Sequence, residues 1–194
     1  VSLFLFSVSA ALACLTRYTG VIIILTGIIC ILFLGRNNIK EKIWHSSIFV
    51  IITIIPISIW IIRNHFISGT FLGERASSSY TLFENLRFFY YTVLPWYLPS
   101  NSVGIYFVFI FLIVTTWIFF GLDREKSANG KAIKLIGPSL LFVLFYTTAI
   151  VISSTTTAYD QISDRLLSPI YIQLIFILFF ISDKIFSWLV KAFN

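Results

Sequence analysis

The chain has 194 residues, 58% of them hydrophobic and only 11% charged, with a formal net charge of +6. A soluble domain this apolar would have no surface fit for water, so composition excludes a soluble globule and predicts a polytopic helical membrane protein. Cys14 and Cys30 both sit in apolar runs and read as small hydrophobes, with nothing in their surroundings that suggests a disulfide or a metal site.

The sequence opens on Val1 inside an apolar run, contains no Met, and has neither a basic n-region nor a small-residue cleavage site ahead of that run. This predicts a single transmembrane domain over 1–194 that forms the C-terminal part of a longer protein. As one straight helix, residues 1–34 would extend about 50 Å, far beyond a hydrocarbon core of about 30 Å, and would put Arg17 near its middle. Two helices meeting at Leu15-Thr16-Arg17-Tyr18-Thr19-Gly20 avoid that cost. Arg17 then has two readings, a functional cation or an arginine at a helix end whose guanidinium snorkels to the headgroups.

About six spans are expected: 1–16 (truncated), 18–35, 46–66, 103–122, 135–153 and 166–182. Arg36, Lys40 and Lys42 follow the second span, Arg124, Lys126, Lys131 and Lys134 lie between the fourth and fifth, and Lys184 and Lys191 are in the tail. Alternating spans put these nine on one side, which the positive-inside rule makes the cytoplasm, together with the C-terminus. The other five of the fourteen basic residues are Arg17, Arg63, Arg75, Arg87 and Arg165, so every lysine is inside and the outer set is arginine alone. A guanidinium's fixed fork of donors suits phosphate, which is one explanation; snorkelling, or pairing with Glu74, Glu84, Asp160 and Asp164 on the same face, is the other.

In the third span Pro56 predicts a kink, and Trp60 followed by Arg63 and Asn64 marks the outer interface. The long outer loop, 67–102, contains the capping box Thr81-Leu82-Phe83-Glu84. That box predicts a helix whose apolar face is Leu82, Leu86, Phe89 and Val93, with Glu84, Asn85 and Arg87 turned elsewhere and Pro95 and Pro99 as stops. Such a helix, with its following tyrosines and Trp96, reads as an interfacial helix along the outer membrane surface, an anchor or packing element as readily as a substrate site. Ser127-Ala128-Asn129-Gly130 reads as a flexible cytoplasmic turn. The last outer loop ends at Asp164-Arg165-Leu166-Leu167-Ser168-Pro169, with Pro169 expected in the first turn of the last helix.

Three segments together, residues 15–20, the series Pro56, Trp60, Arg63, Asn64, Gly69, Gly73 and Arg75, and residues 164–169, resemble the membrane part of bacterial glycosyltransferases of the GT-C fold. That superfamily includes the protein O-mannosyltransferases and the lipid A aminoarabinose transferases. The resemblance implies a bacterial inner-membrane enzyme that transfers a sugar from a polyprenyl-phosphate carrier to a protein, lipid or glycan outside the cytoplasm. It also implies a catalytic acid in a first outer loop, upstream of residue 1. A phosphate leaving group calls for fixed cations, for which Arg17 and Arg165 are the first candidates and Arg63 and Arg75 the next. Glu74, Asp160 and Asp164 are expected to orient those arginines or to hold an acceptor. No metal cluster, nucleotide loop or nucleic-acid patch is recognisable, and His45 and His65 fall on opposite faces, so the lipid-linked sugar is the one small-molecule partner implied. Two other classes stay open: a transporter or lipid-linked-substrate flippase, which needs polar groups near mid-span, and a non-catalytic membrane scaffold.

Overall fold

Runs of Ile, Leu, Phe and Val broken only by short polar corners fold as helices, because a helix satisfies its own backbone where water cannot. The structure, a computed structural model, describes residues 2–35, 37–71, 76–97, 126–158 and 161–193, and of 126–133 and 184–193 the backbone alone. The described part is helical throughout its regular structure: α1 (Ser2–Thr16), a 3₁₀ turn (Tyr18–Gly20), α2 (Val21–Ile29) continuing into a π turn (Cys30–Leu34), α3 (Ile39–Ser68), α4 (Leu82–Val93), a second 3₁₀ turn (Leu94–Trp96), α5 (Lys126–Thr156) and α6 (Asp164–Phe193). Three stretches are long and apolar enough to cross a membrane: Ile39–Ser68, Lys134–Thr156 and Asp164–Asp183. The first two helices, Ser2–Thr16 and Tyr18–Leu34, are apolar but shorter. The expected span at 103–122 lies outside the described residues.

α1 and α3 run parallel, joined by the stack of Phe6 on Phe49 (5.0 Å, 13°) and, further along, by Tyr18 set edge-on to Trp60 (5.2 Å, 64°). α2 returns alongside this pair, and its Gly27 meets Phe49 so closely that an added Cβ would stand 2.6 Å from the ring. Across the bundle α5 and α6 are antiparallel, with Tyr146, Ile150, Val151, Leu167 and Ile170 in the core between them and Ile22 of α2 packed on its edge. The Ser139 hydroxyl donates to Gln173 Oε1 (2.8 Å) across the same pair.

Most buried positions in α1 to α3 are small or hydroxylated, with Ser7 and Thr53 fully buried and Ala10, Ala11 and Cys14 nearly so, the large exceptions being Phe49 and Ile24, whereas Phe4, Leu12, Ile55 and Ile59 are exposed. Membrane helices pack this way because lipid takes the large side chains, and small residues let backbones approach.

Two expectations need correction. The segment Ser127–Gly130 is not a turn: α5 begins at Lys126 and carries Asn129 and Gly130 in helix. One glycine costs a continuing helix only about 1 kcal/mol, less than a fresh nucleation would. α6 begins at Asp164, so Pro169 is its sixth residue and lies in the second turn, not the first. In α4 the capping box forms, with the Thr81 hydroxyl accepting from Glu84 N–H (3.3 Å) and Glu84 Oε2 accepting from Thr81 N–H (2.8 Å). Of its apolar stripe, Leu82 and Leu86 are exposed while Phe89 and Val93 pack against the core between α5 and α6, and Asn85 is buried as well. The burial of Asn85 follows from what α4 lies against: Asn85 Nδ2 donates to Thr155 Oγ1 (3.3 Å) in the polar last turn of α5 and to the Thr81 carbonyl (3.2 Å). α3 carries Pro56 within its run. A proline there removes one donor without breaking the run.

Candidate functional site

One end of the bundle collects the chain's polar corners. Ala158 N–H donates to the Ala76 carbonyl (2.9 Å), the Ser78 hydroxyl to the Ser154 carbonyl (2.6 Å), and the Thr92 hydroxyl to the Ile162 carbonyl (3.2 Å). The corner between α1 and α2 sits at this end too.

That corner is made by Arg17, whose backbone is extended (φ −148°, ψ 135°) between two helical stretches. Arg17 N–H closes on the Ala13 carbonyl (3.2 Å) and Gly20 N–H on the Arg17 carbonyl (2.8 Å). Only glycine fits at position 20, because a Cβ there would lie 2.6 Å from Cys14 Cα and 2.7 Å from the Ala13 oxygen. The folded-back turn leaves the Arg17 side chain pointing across to the head of α6, where Nη2 donates to the Arg165 carbonyl at 2.8 Å. Nη1 is buried and, among the described residues, has no hydrogen-bond partner.

The Arg165 carbonyl is free for this because of Pro169. In an α-helix the carbonyl of residue 165 accepts from the N–H of residue 169, and proline has none. The carbonyl takes the Ser168 hydroxyl (3.1 Å) and the Arg17 guanidinium instead. One residue on, the Leu166 carbonyl accepts from the Tyr146 hydroxyl (2.8 Å), which Thr19 Oγ1 approaches at 3.5 Å, so the corner, α5 and the head of α6 are tied together.

Asp164 does not face the arginines as expected. Its Oδ1 accepts from Trp96 Nε1 at 2.6 Å, and among the described residues no carboxylate forms an ion pair with Arg17 or Arg165. The acid was expected to seek a cation, but the indole at the end of α4 reaches it first, in a cluster where Trp96 sits edge-on to Tyr171 (5.2 Å, 82°) and Tyr97 lies beside Tyr171 (6.5 Å, 25°). Burial, with the Tyr171 phenol beside it, pushes the Tyr97 hydroxyl up to about 12. Arg165 and Arg63 have exposed side chains, and Arg63 lies on α3 one turn beyond Trp60. Arg75, Glu74 and Asp160 lie outside the described residues.

Sequence reasoning therefore placed Arg17 and Arg165 at the same end and missed what joins them. The signal was present as Arg165 followed four residues later by Pro169 inside a helix. Trp96, Tyr171, Tyr146 and Thr19 gave no signal as partners, since their contacts cross between helices. Among the described residues no group of three or more His, Cys, Asp and Glu gathers as a metal site. No protein-family model, curated protein or solved structure matches the chain.

Proposed function

We propose that this chain is the donor-binding membrane part of a glycosyltransferase that moves a sugar from a polyprenyl phosphate to an acceptor outside the cytoplasm. One observation carries the reading. The Arg17 guanidinium reaches the backbone carbonyl of Arg165 across 148 residues of sequence, joining two of the three segments that resemble the GT-C transferases, and among the described residues Nη1 of Arg17 has no hydrogen-bond partner. In such a transfer an acceptor nucleophile forms a bond to the anomeric carbon while the bond from that carbon to the phosphate oxygen breaks. The electron pair stays on the departing polyprenyl phosphate, and the acceptor's proton goes to the acid that the resemblance puts upstream. The charge that grows on phosphate is what a preplaced guanidinium stabilises, most strongly where water is scarce. Arg165 and Arg63 add positive potential at the same end, and Arg75 would extend the set.

In this reading the chain has about six spans in a bacterial inner membrane, with the Arg17 end outside and the C-terminus in the cytoplasm. α4 lies at the outer interface with Leu82, Phe83 and Leu86 toward lipid; all three are exposed.

The test is Arg17→Lys in the complete protein, assayed with a polyprenyl-phosphate sugar. Lysine keeps the charge and loses the fork, so the transferase reading expects normal membrane levels and turnover lower by about tenfold or more. Unchanged turnover at normal levels would leave Arg17 as an interface anchor and remove the donor-site reading.

A further inference from the structure

The Arg17 guanidinium is held by a carbonyl of another helix whose usual helical partner is removed by an imino acid. We propose that Pro169 is a positioning residue. By withholding the N–H that would close on the Arg165 carbonyl, it reserves that oxygen for Arg17 Nη2, so the guanidinium is held in one orientation at the head of α6. The inference rests on the reading of Arg17 as the donor-phosphate cation, and names what sets that cation's geometry.

The pieces are independent of one another. The Nη2 to carbonyl distance is 2.8 Å, a charge-assisted bond of full strength. Pro169 stands in the interior of α6, where proline removes a helical bond and is normally avoided, so it persists at a price in helix stability. Pro169 is only half-buried. The Ser168 hydroxyl also reaches the Arg165 oxygen (3.1 Å), but it comes from the same helix and reaches nothing of α1. A guanidinium held at one nitrogen loses fewer rotamers on binding than one free in solvent, so the held state binds an anion more tightly than the same arginine released.

Any residue other than proline at 169 supplies the missing N–H and competes with Arg17 for the Arg165 carbonyl. Pro169→Ala and Pro169→Ser share that N–H and differ in side chain, so an effect common to both reports the hydrogen bond. The assay is binding of undecaprenyl monophosphate, with undecaprenol as the uncharged control, to the full chain in lipid nanodiscs. Both variants are expected to keep or raise the thermal midpoint, since a helical bond is restored, and to bind the monophosphate about three- to tenfold more weakly, with undecaprenol binding unchanged. Combined with Arg17→Lys, which alone should weaken binding by about tenfold, Pro169→Ala should add no further loss, because both act on one guanidinium. If Arg17→Lys weakens binding while both position-169 variants bind like the parent, the role of Pro169 is overturned and the donor-site reading stands. Full additivity of the two substitutions would equally overturn it. If Arg17→Lys leaves binding unchanged, the donor-site reading falls and the inference with it.

Discussion

Replacing Gly20 with alanine puts one methyl group where the structure has no room. Its Cβ would lie 2.6 Å from Cys14 Cα and 2.7 Å from both Cys14 N and the Ala13 carbonyl oxygen. All three are main-chain atoms of α1, so no rotamer change relieves the contact. The turn must open until these separations reach roughly 3.5 Å. Opening it pulls on the Ala13 carbonyl, which also accepts from Arg17 N–H (3.2 Å) and Thr16 Oγ1 (2.8 Å). Overpacking of this kind costs about 1–3 kcal/mol. Against it stands a gain of about 0.4–1 kcal/mol from restricting the unfolded chain. That gain applies because Gly20 has ordinary right-handed helical angles (φ −58°, ψ −21°). The net expectation is a loss of about 1–2 kcal/mol, read as a lower midpoint in denaturant titration of the full chain in mixed micelles, followed by tryptophan fluorescence. Gly69→Ala is the control: no atom lies within 4 Å of its Cβ, but its φ is +72°, so it should lose about 1 kcal/mol through the α3 cap alone and leave the corner intact. A Gly20→Ala protein as stable as the parent would show that the corner is looser than the described geometry.

Further outcomes can be checked separately. Thr81→Ala should cost about 1 kcal/mol and raise hydrogen exchange at the first turn of α4, because it removes the hydroxyl that accepts from Glu84 N–H. The Glu84 carboxyl is held below its ordinary range, first by the Thr81 N–H and then by the Thr81 hydroxyl. Its folded pKa is therefore depressed, so the stability it contributes is present above the unfolded value and lost as pH falls through the folded one; exchange protection in α4 that is flat in acid would contradict this. Tyr97 has the opposite sign for an acid. The unfolded phenol ionises near 10 and the folded one near 12, so stability is unaffected below 10 and falls between the two. Ultraviolet titration of Tyr97→Phe against the parent should delete a late-ionising phenol. Tyr146→Phe removes the donor to the Leu166 carbonyl and should cost about 1 kcal/mol in the same micelle titration, with no loss if that bond is not made. For topology, an impermeant thiol reagent on whole cells should label Ser77→Cys and spare Asn129→Cys; the reverse pattern would invert the proposed orientation.

The helices and the corner at Arg17 were legible because they rest on local rules, apolar run length and the cost of burying a guanidinium. The cap of α4 was legible for the same reason, Thr81 and Glu84 being three residues apart. The buried face of α4 was legible only in part. In a water-soluble protein the apolar stripe points inward, and here Phe89 and Val93 do pack inward, but Leu82 and Leu86 are exposed and Asn85 is 1% exposed, because its neighbour is the hydroxyl-rich end of α5 and not an apolar core. The same ambiguity hides the interior of α1 to α3, where outward and inward positions are both apolar and most inward ones differ only in being small, Phe49 and Ile24 excepted. The start of α5 was missed because Asn129 and Gly130 weaken a helix without forbidding it. Asp164 was assigned to an arginine because charge suggests charge, whereas its 2.6 Å partner is an indole N–H from a distant part of the chain.

The buried hydroxyls of α1 to α3 have a mechanical consequence. Ser7, Thr26 and Thr53 each donate to a carbonyl one turn back in their own helix (2.8, 2.8 and 2.6 Å), so none of them stitches one helix to the next. The two parallel helices and α2 beside them are keyed by shape at the Phe6, Gly27 and Phe49 junction, as a tongue sits in a slot. On the other side Ser139 and Gln173 pin α5 to α6 in register with a directional bond. An axial slip in the first group would therefore meet little resistance from hydrogen bonds of its own, and the strain would be delivered to Arg17, the one side chain of that group that donates to the backbone of α6.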